Sequence, residues 1–326
     1  MRFPEPFLAA HGYAAAARQP LAGDADLRRY ARLTGGPRPA LLMDAPPPQD
    51  VRPFHALSRH LLSACFSVPE VIAADEAAGF LLVEDFGDAT HAALLDAGAD
   101  PLPLYREAAE TLAALHAAPP PPGLPAWDAE AMTRATAATF LDWWWPAAFG
   151  APPGEAVRTE LAAALAEMLA PLAGARGFVH RDYFPANLMR IGDREGIRRT
   201  GILDFQDAAI GHPAYDIVSL VEDARRDVTP EVRRATLAAY LAARPGLDRG
   251  AFLGAMAACG AQRHLRVAAL WVRLARRDNK PGYLIHGPRC WALLDRALSQ
   301  PACAPLRRFL DAHVPHEMRR NPPEAA

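Results

Sequence analysis

Asp182 and Asn187 stand five residues apart in His180-Arg181-Asp182-Tyr183-Phe184-Pro185-Ala186-Asn187, and Asp204 follows a short apolar run in Ile202-Leu203-Asp204-Phe205. Two carboxylates and an amide are hard oxygen donors. Mg²⁺ takes such donors and leaves its remaining positions to phosphate oxygens. A carboxylate beside a hydroxyl also accepts the proton as that oxygen attacks phosphorus. The chemistry open to this trio is therefore metal-assisted phosphoryl transfer. The plain alternative is an ordinary polar loop with Asp204 as a helix cap. It leaves the paired spacing, the intervening strand and the small sheet upstream without a reason.

The elements that must position the trio are legible around it. Arg18–Leu33 reads as strand, turn and strand about Gly23-Asp24, with Leu27, Arg29, Ala31 and Leu33 on one face and Arg28, Tyr30 and Arg32 on the other. Ala40–Met43 reads as a third strand, and Val68–Ala74 and Phe80–Val83 as two more. Between them Phe54, Leu57, Leu61 and Leu62 recur at helical spacing behind Pro53. Residues 1–86 thus read as a small sheet with one helix, and 87–326 as mainly helical, with a hinge near 84–87. Proline clusters read as turns and linkers.

Composition narrows the function classes. Hydrophobic residues make up 51% and charged residues 22% of the chain, so a packed core is expected. A formal charge of -2 supplies no basic field for nucleic acid. No apolar run is long enough to span a membrane, and the start lacks a long apolar stretch, so a cytoplasmic protein is expected. Cys65, Cys259, Cys290 and Cys303 are far apart and read as buried free thiols. Lys280 is the only lysine, so arginine must do any cationic work elsewhere.

The loop pattern H-x-D-x-x-x-x-N, followed by Asp204-Phe205-Gln206, resembles the catalytic core of kinases of the aminoglycoside-phosphotransferase branch. The resemblance implies an α+β, bilobal protein-kinase-like fold, with a small β-sheet N-lobe and a mainly helical C-lobe. It implies that Asp182 is the catalytic base, Asn187 and Asp204 bind Mg²⁺, and His180 orients the loop. It also implies that Glu84 and Phe86 at the hinge meet the adenine edge of ATP through backbone groups. Asp216, in Gly211-His212-Pro213-Ala214-Tyr215-Asp216, would brace the catalytic loop by backbone hydrogen bonds.

The phosphate-holding parts depart from the protein-kinase pattern. There is no G-x-G-x-x-G, the small lobe has no lysine, and the helix at 53–66 has no acidic residue. Both halves of one ion pair are missing together, which argues for substitution and against a dead enzyme. The remaining phosphate candidates are Gly23, Asp24 and Ala25 in the turn, and Arg28 and Arg32 on the following strand, with Asp44 able to hold an arginine in place.

The combined blocks, from Gly23-Asp24-Ala25 through Met43-Asp44-Ala45-Pro46-Pro47 to Asp207-Ala208, are similar to the bacterial cell-wall-recycling kinases of N-acetylmuramate and N-acetylglucosamine. That resemblance implies ATP-dependent phosphorylation of an anomeric hydroxyl, a role in peptidoglycan recycling toward nucleotide-sugar supply, and a monomer whose partners are small molecules. Gln206 and Asp207 follow the metal carboxylate closely enough to line a sugar site. Trp143 and Trp144 belong to an aromatic run that cannot share one helix face. Arg263 or His264 could reach a sugar carboxylate, although the stripe Arg263, Arg266, Arg273 and Arg277 reads first as a solvated helix face. Two alternatives stay open: a phosphotransferase for another small hydroxyl compound, aminoglycoside or choline-like, and a nucleotide-binding scaffold without catalysis.

Overall fold

The computed structural model describes residues 4–21, 27–174 and 176–322. The turn residues Gly23, Asp24 and Ala25 lie outside the described residues. Ten strands follow in chain order among those described: β1 (Ala17–Pro20), β2 (Arg29–Thr34), β3 (Ala40–Asp44), β4 (Val71–Asp75), β5 (Phe80–Glu84), β6 (Ala126–Trp127), β7 (Gly177–Val179), β8 (Leu188–Arg190), β9 (Thr200–Ile202) and β10 (Ala209–Gly211). The chain forms two compact units, Met1–Thr111 with Pro185–Asp207, and Leu112–Phe184 with Ala208–Ala326.

The first unit is built on an antiparallel sheet of order β1-β2-β3-β5-β4. Alternation fixes its faces. Leu33 of β2, Ala40 and Leu42 of β3, and Phe80 and Leu82 of β5 turn one way and close over Phe7, Leu8 and Tyr13. Each such leucine or phenylalanine contributes about 1.5–3 kcal/mol by leaving water. The helix Arg52–Ser63 starts on a proline, Pro53, and buries Phe54, Leu57 and Leu61.

Sequence puts the division at residue 86, whereas the compact unit runs on to Thr111 and takes back Pro185–Asp207. The reason is backbone hydrogen bonding. Ile202 N–H donates to the Ser67 carbonyl at 2.8 Å, and Arg190 N–H to the Ala89 carbonyl at 2.8 Å. The β8–β9 hairpin is thereby joined to the chain around residues 67 and 89. Gly201 has to be small there: a Cβ would stand 3.0 Å from the Phe86 ring and 2.9 Å from Ile191.

The second unit is mainly helical, with a short sheet of order β6-β10-β7. Its axis is the 29-residue helix Arg249–Arg277, capped by Asp248, whose side chain accepts from Ala251 N–H. Phe252, Ala255 and Cys259, and further on Leu265, Ala268 and Val272, recur along it at three- and four-residue spacing and are buried. Three cysteines are buried as expected, but Cys65 is exposed, in a left-handed conformation after the helix Arg52–Ser63 (φ 66°). No helix among the described residues is long and apolar enough to cross a membrane.

Candidate active site

Within the second unit, β7 leads directly into the loop of Asp182. Asp216, at the start of the helix Ala214–Val221, is completely buried and takes three hydrogen bonds. Its carboxylate accepts from His180 N–H at 2.6 Å and Arg181 N–H at 2.8 Å. The third partner is His116 Nε2 at 3.1 Å, whose Nδ1 meets Tyr240 Oη at 2.8 Å. His180 is itself fully buried, and its Nδ1 accepts from Asp182 N–H at 3.3 Å.

This bracing holds Arg181 in the left-handed region, at φ 75°. Such a conformation costs a non-glycine residue roughly 1–3 kcal/mol and persists only where the surroundings over-determine it. The Asp216 bond, a Ser219 hydroxyl donating to the Arg181 carbonyl at 3.3 Å, and the Arg181 guanidinium stacked 4.1 Å from the Trp127 ring centre together do so. The bend leaves the Asp182 side chain 39% exposed, with Arg263 Nη2 3.9 Å from its Oδ1.

Arg263 is not on a solvated stripe: it is 3% exposed, and its Nε donates to the Ser219 hydroxyl at 2.7 Å. It therefore serves the catalytic loop, packed between the Ser219 hydroxyl and the Asp182 carboxylate. His264 is fully buried against Glu222, 2.7 Å away, and has no reach to a ligand. Burial opposes the Glu222 charge, but His264, Arg233 and Arg296 prevail and hold its carboxyl down at about 2.

The other two members of the trio belong to the first unit. Asn187 ends a single 3₁₀ turn, Pro185–Asn187, and Asp204 follows β9. Their side chains face each other, with Asn187 Nδ2 3.4 Å from Asp204 Oδ2. The Leu203 N–H donates to the Asn187 carbonyl at 2.9 Å, so the hairpin itself sets this spacing. Asp204 is exposed and also left-handed, at φ 58°, a region that aspartate tolerates better than most residues. Gln206 donates its Nε2–H to Asp204 Oδ1 at 2.7 Å, so it orients the carboxylate. Asp207 is exposed one residue beyond.

The donor set fits Mg²⁺: an exposed carboxylate and an amide converge, with no third His, Cys, Asp or Glu completing a closed metal cage among the described residues. Mg²⁺ prefers such sites, with one or two protein ligands and the rest from water and phosphate.

The two strand arginines part company. Strand β2 begins at Arg29, so the alternation that pairs Arg28 with Arg32 does not extend to Arg28. Arg28 Nη1 lies 3.9 Å from Asp204 Oδ1, and its Nη2 donates to Gln49 at 3.4 Å. Arg32 instead clamps the segment after β5. It donates to Asp85 at 2.6 and 3.2 Å and to Asp88 at 2.8 and 3.0 Å. Hydrogen bonds to Asp88 first and Asp85 second hold its pKa far above the ordinary arginine value. A phosphate would have to displace both carboxylates, so Arg28 is the better phosphate candidate. Asp44 faces Arg29 across β2–β3.

At the end of β5, the Glu84 N–H is spent on the Glu70 carbonyl at 2.9 Å, and its carboxylate takes Arg194 at 2.7 Å. Phe86 is half-buried with Arg194 5.1 Å from its ring centre.

Trp144 does not line a site. It is fully buried, stacked 4.9 Å from Phe140 and tilted 5.2 Å from Trp291, with its indole N–H donating to the Arg320 carbonyl at 2.9 Å. Trp143 is half-buried and stays available. Arg266, on the same stripe as Arg263, is half-buried and its Nη2 donates to Tyr215 Oη at 3.2 Å, so the expectation of a solvated face fails for it too.

A model of the phosphotransferase enzyme family matches residues 17–253. A Caulobacter vibrioides protein named N-acetylmuramate/N-acetylglucosamine kinase is 39% identical, covering 96% of this chain and 96% of that protein. A Pseudomonas aeruginosa protein of the same name is 36% identical, covering 89% of this chain and 87% of its own. Among solved structures, a choline/ethanolamine kinase family protein from Mesorhizobium loti superposes with a TM-score of 0.63 at 17% identity, covering 93% of this chain and 95% of that one. Wild-type aminoglycoside 2'-phosphotransferase-IIIa superposes with a TM-score of 0.58 at 16% identity, covering 87% and 92%. These structures share the α+β fold.

Proposed function

The chain belongs to the phosphotransferase enzyme family, and from that premise we propose that it is an ATP-dependent sugar kinase. It transfers the γ-phosphoryl group to the anomeric hydroxyl of N-acetylmuramate, N-acetylglucosamine or both. The observation that carries this reading is similarity along nearly the whole chain to kinases so named. The solved structures support the fold alone.

Asp182 accepts the proton of the anomeric hydroxyl. That hydroxyl is more acidic than an ordinary alcohol, so a carboxylate base is adequate. The braced loop sets its direction, and Arg263 stands 3.9 Å from one of its oxygens. Asn187 and Asp204 are the residues that would hold Mg²⁺, which supplies charge neutralisation at the phosphates. Gln206 and the hairpin keep that pair aligned. Arg28 adds a fixed positive charge beside Asp204 for the developing phosphoryl charge. Glu84 and Phe86 offer the backbone edge for adenine, and Trp143 an aromatic face for a sugar ring. The enzyme acts as a cytoplasmic monomer in recovery of cell-wall sugars.

The test is direct. Incubation with Mg·ATP and each sugar, followed by phosphorus NMR, should show a sugar 1-phosphate. Phosphate at another carbon would overturn the anomeric assignment, and consumption of ATP with neither sugar would overturn the substrate class.

A further inference from the structure

Four arginines on the helix Arg249–Arg277 differ in what balances them. Arg277 is matched by Asp278, with contacts of 2.8 and 3.0 Å. Arg263 is committed to Ser219 and Asp182. Arg266 and Arg273 form no ion pair among the described residues, and the Nε–H of each is buried without an acceptor. Seven residues separate them, two turns, so they project from the same side about 10 Å apart along the axis.

Each feels the other charges of this helix. Burial first, then Arg277 and more weakly Arg266, lower the pKa of Arg273, with Asp278 opposing. Burial also opposes the Arg266 charge, but the Tyr215 hydroxyl and Asp182 raise its pKa above the ordinary value. Half-buried guanidinium groups with unused donors are costly unless an anion supplies the missing acceptors. Arginine's planar fork matches a carboxylate with two parallel hydrogen bonds.

The order along the helix matches the layout of one acceptor. Arg263 marks Asp182, where the reacting C1 hydroxyl must lie. Arg266 comes one turn later, beside Tyr215, and Arg273 two turns beyond that. N-acetylmuramate carries its lactyl ether on C3, two ring carbons from C1, so its carboxylate extends away from the reacting atom. We propose that Arg266 and Arg273 form a carboxylate subsite for the lactyl group and thereby set the preference between N-acetylmuramate and N-acetylglucosamine. This inference rests on the proposed function.

The experiment compares kcat/KM of wild type, R266Q and R273Q on N-acetylmuramate, its neutral lactyl amide and N-acetylglucosamine, together with KM for ATP. In each variant the ratio of N-acetylmuramate to N-acetylglucosamine should fall about 30-fold, chiefly through KM, as expected for a lost charge-assisted contact. The preference for N-acetylmuramate over its amide should shrink in parallel, and R266K should recover part of the ratio. Equal losses on all three sugars would overturn the subsite. So would a raised KM for ATP with unchanged sugar ratios, which would assign these arginines to the triphosphate. If R266Q does not fold, R273Q decides alone. The wild-type reaction keeps the two levels apart: sugar 1-phosphate formed with unaltered variant ratios sinks only the subsite, whereas no product from either sugar sinks the function and the subsite with it.

Discussion

In the N-terminal unit Arg32 meets two carboxylates, Asp85 and Asp88, at hydrogen-bond distance. In the helical unit Arg266 and Arg273 meet none at that distance among the described residues, although both carry buried N–H groups. Arginines of the two regions thus differ in who completes them. A guanidinium whose acceptors are built into the fold is a fastener, and its charge is spent before any ligand arrives. One whose acceptors are missing has its charge and its directional donors in reserve. Asp182 and Asp216 repeat the contrast inside one unit: the first is part-exposed for a proton, the second wholly buried as a brace.

The largest test of that contrast is D182N. Turnover should fall roughly 10²–10⁴-fold, as for loss of a general base. The melting temperature should change far less than turnover, because the Asp182 side chain is part-exposed and keeps 3.9 Å between itself and Arg263. A protein that turns over at full speed would break the assignment. Next comes D216A, which strands the His180 and Arg181 N–H groups and His116 in a dry interior. Urea unfolding should show a loss of about 3 kcal/mol, with activity falling too. A loss confined to activity would move Asp216 from brace to ligand.

His91 sharpens the comparison on the N-terminal side, where a buried ring refuses charge. Burial, helped by Arg190, lowers its pKa to about 4. The unfolded chain takes up that proton near pH 6.5 and the folded chain only near 4, so the unfolded state binds more protons between them. Stability should fall as pH drops from about 6.5 to 4, by roughly 3 kcal/mol, and level off below. H91Q should flatten this slope in urea unfolding at stepped pH. An unchanged slope would place the effect elsewhere.

The smallest effect separates the two strand arginines. R28A should raise KM for Mg·ATP about tenfold, a loss comparable to one charge-assisted hydrogen bond. R32A should act mainly on stability, by about 1 kcal/mol given its partly exposed clamp. The reverse ranking, read from ATP titrations and unfolding curves, would make Arg32 the phosphate ligand.

What could be read from sequence follows the range of the forces involved. The loop 180–187 and Asp204 were legible because their spacing is local and their chemistry narrow. Strands β2, β3 and β5 were legible because alternation is a property of the strand itself. The pairing of Arg28 with Arg32 failed at one boundary, since β2 starts at Arg29, past both Leu27 and Arg28. Trp144 was misjudged because Phe140–Trp144 forms a π-helical turn, which adds a residue and rotates both Trp144 and Trp145 inward. The unit boundary was hidden because it depends on hydrogen bonds between residues more than 100 positions apart, such as Ser67 with Ile202. The solvated-stripe reading of Arg263 failed because burial on a long helix is decided by neighbours that its own periodicity does not reveal.

The hairpin of residues 185–207 has a consequence for how the protein is made. Among the described residues, the carbonyls of Ser67 and Ala89 take their backbone partners from Ile202 and Arg190. During synthesis the sheet-bearing segment must therefore wait for its covering hairpin while a long stretch of helical chain emerges. At about 5–20 residues per second this pause lasts several seconds. A fragment ending at Thr111 would keep all five strands of its sheet but lack the hairpin, so an expression strategy that cuts there should yield a sticky product with the Ser67 and Ala89 carbonyls uncovered.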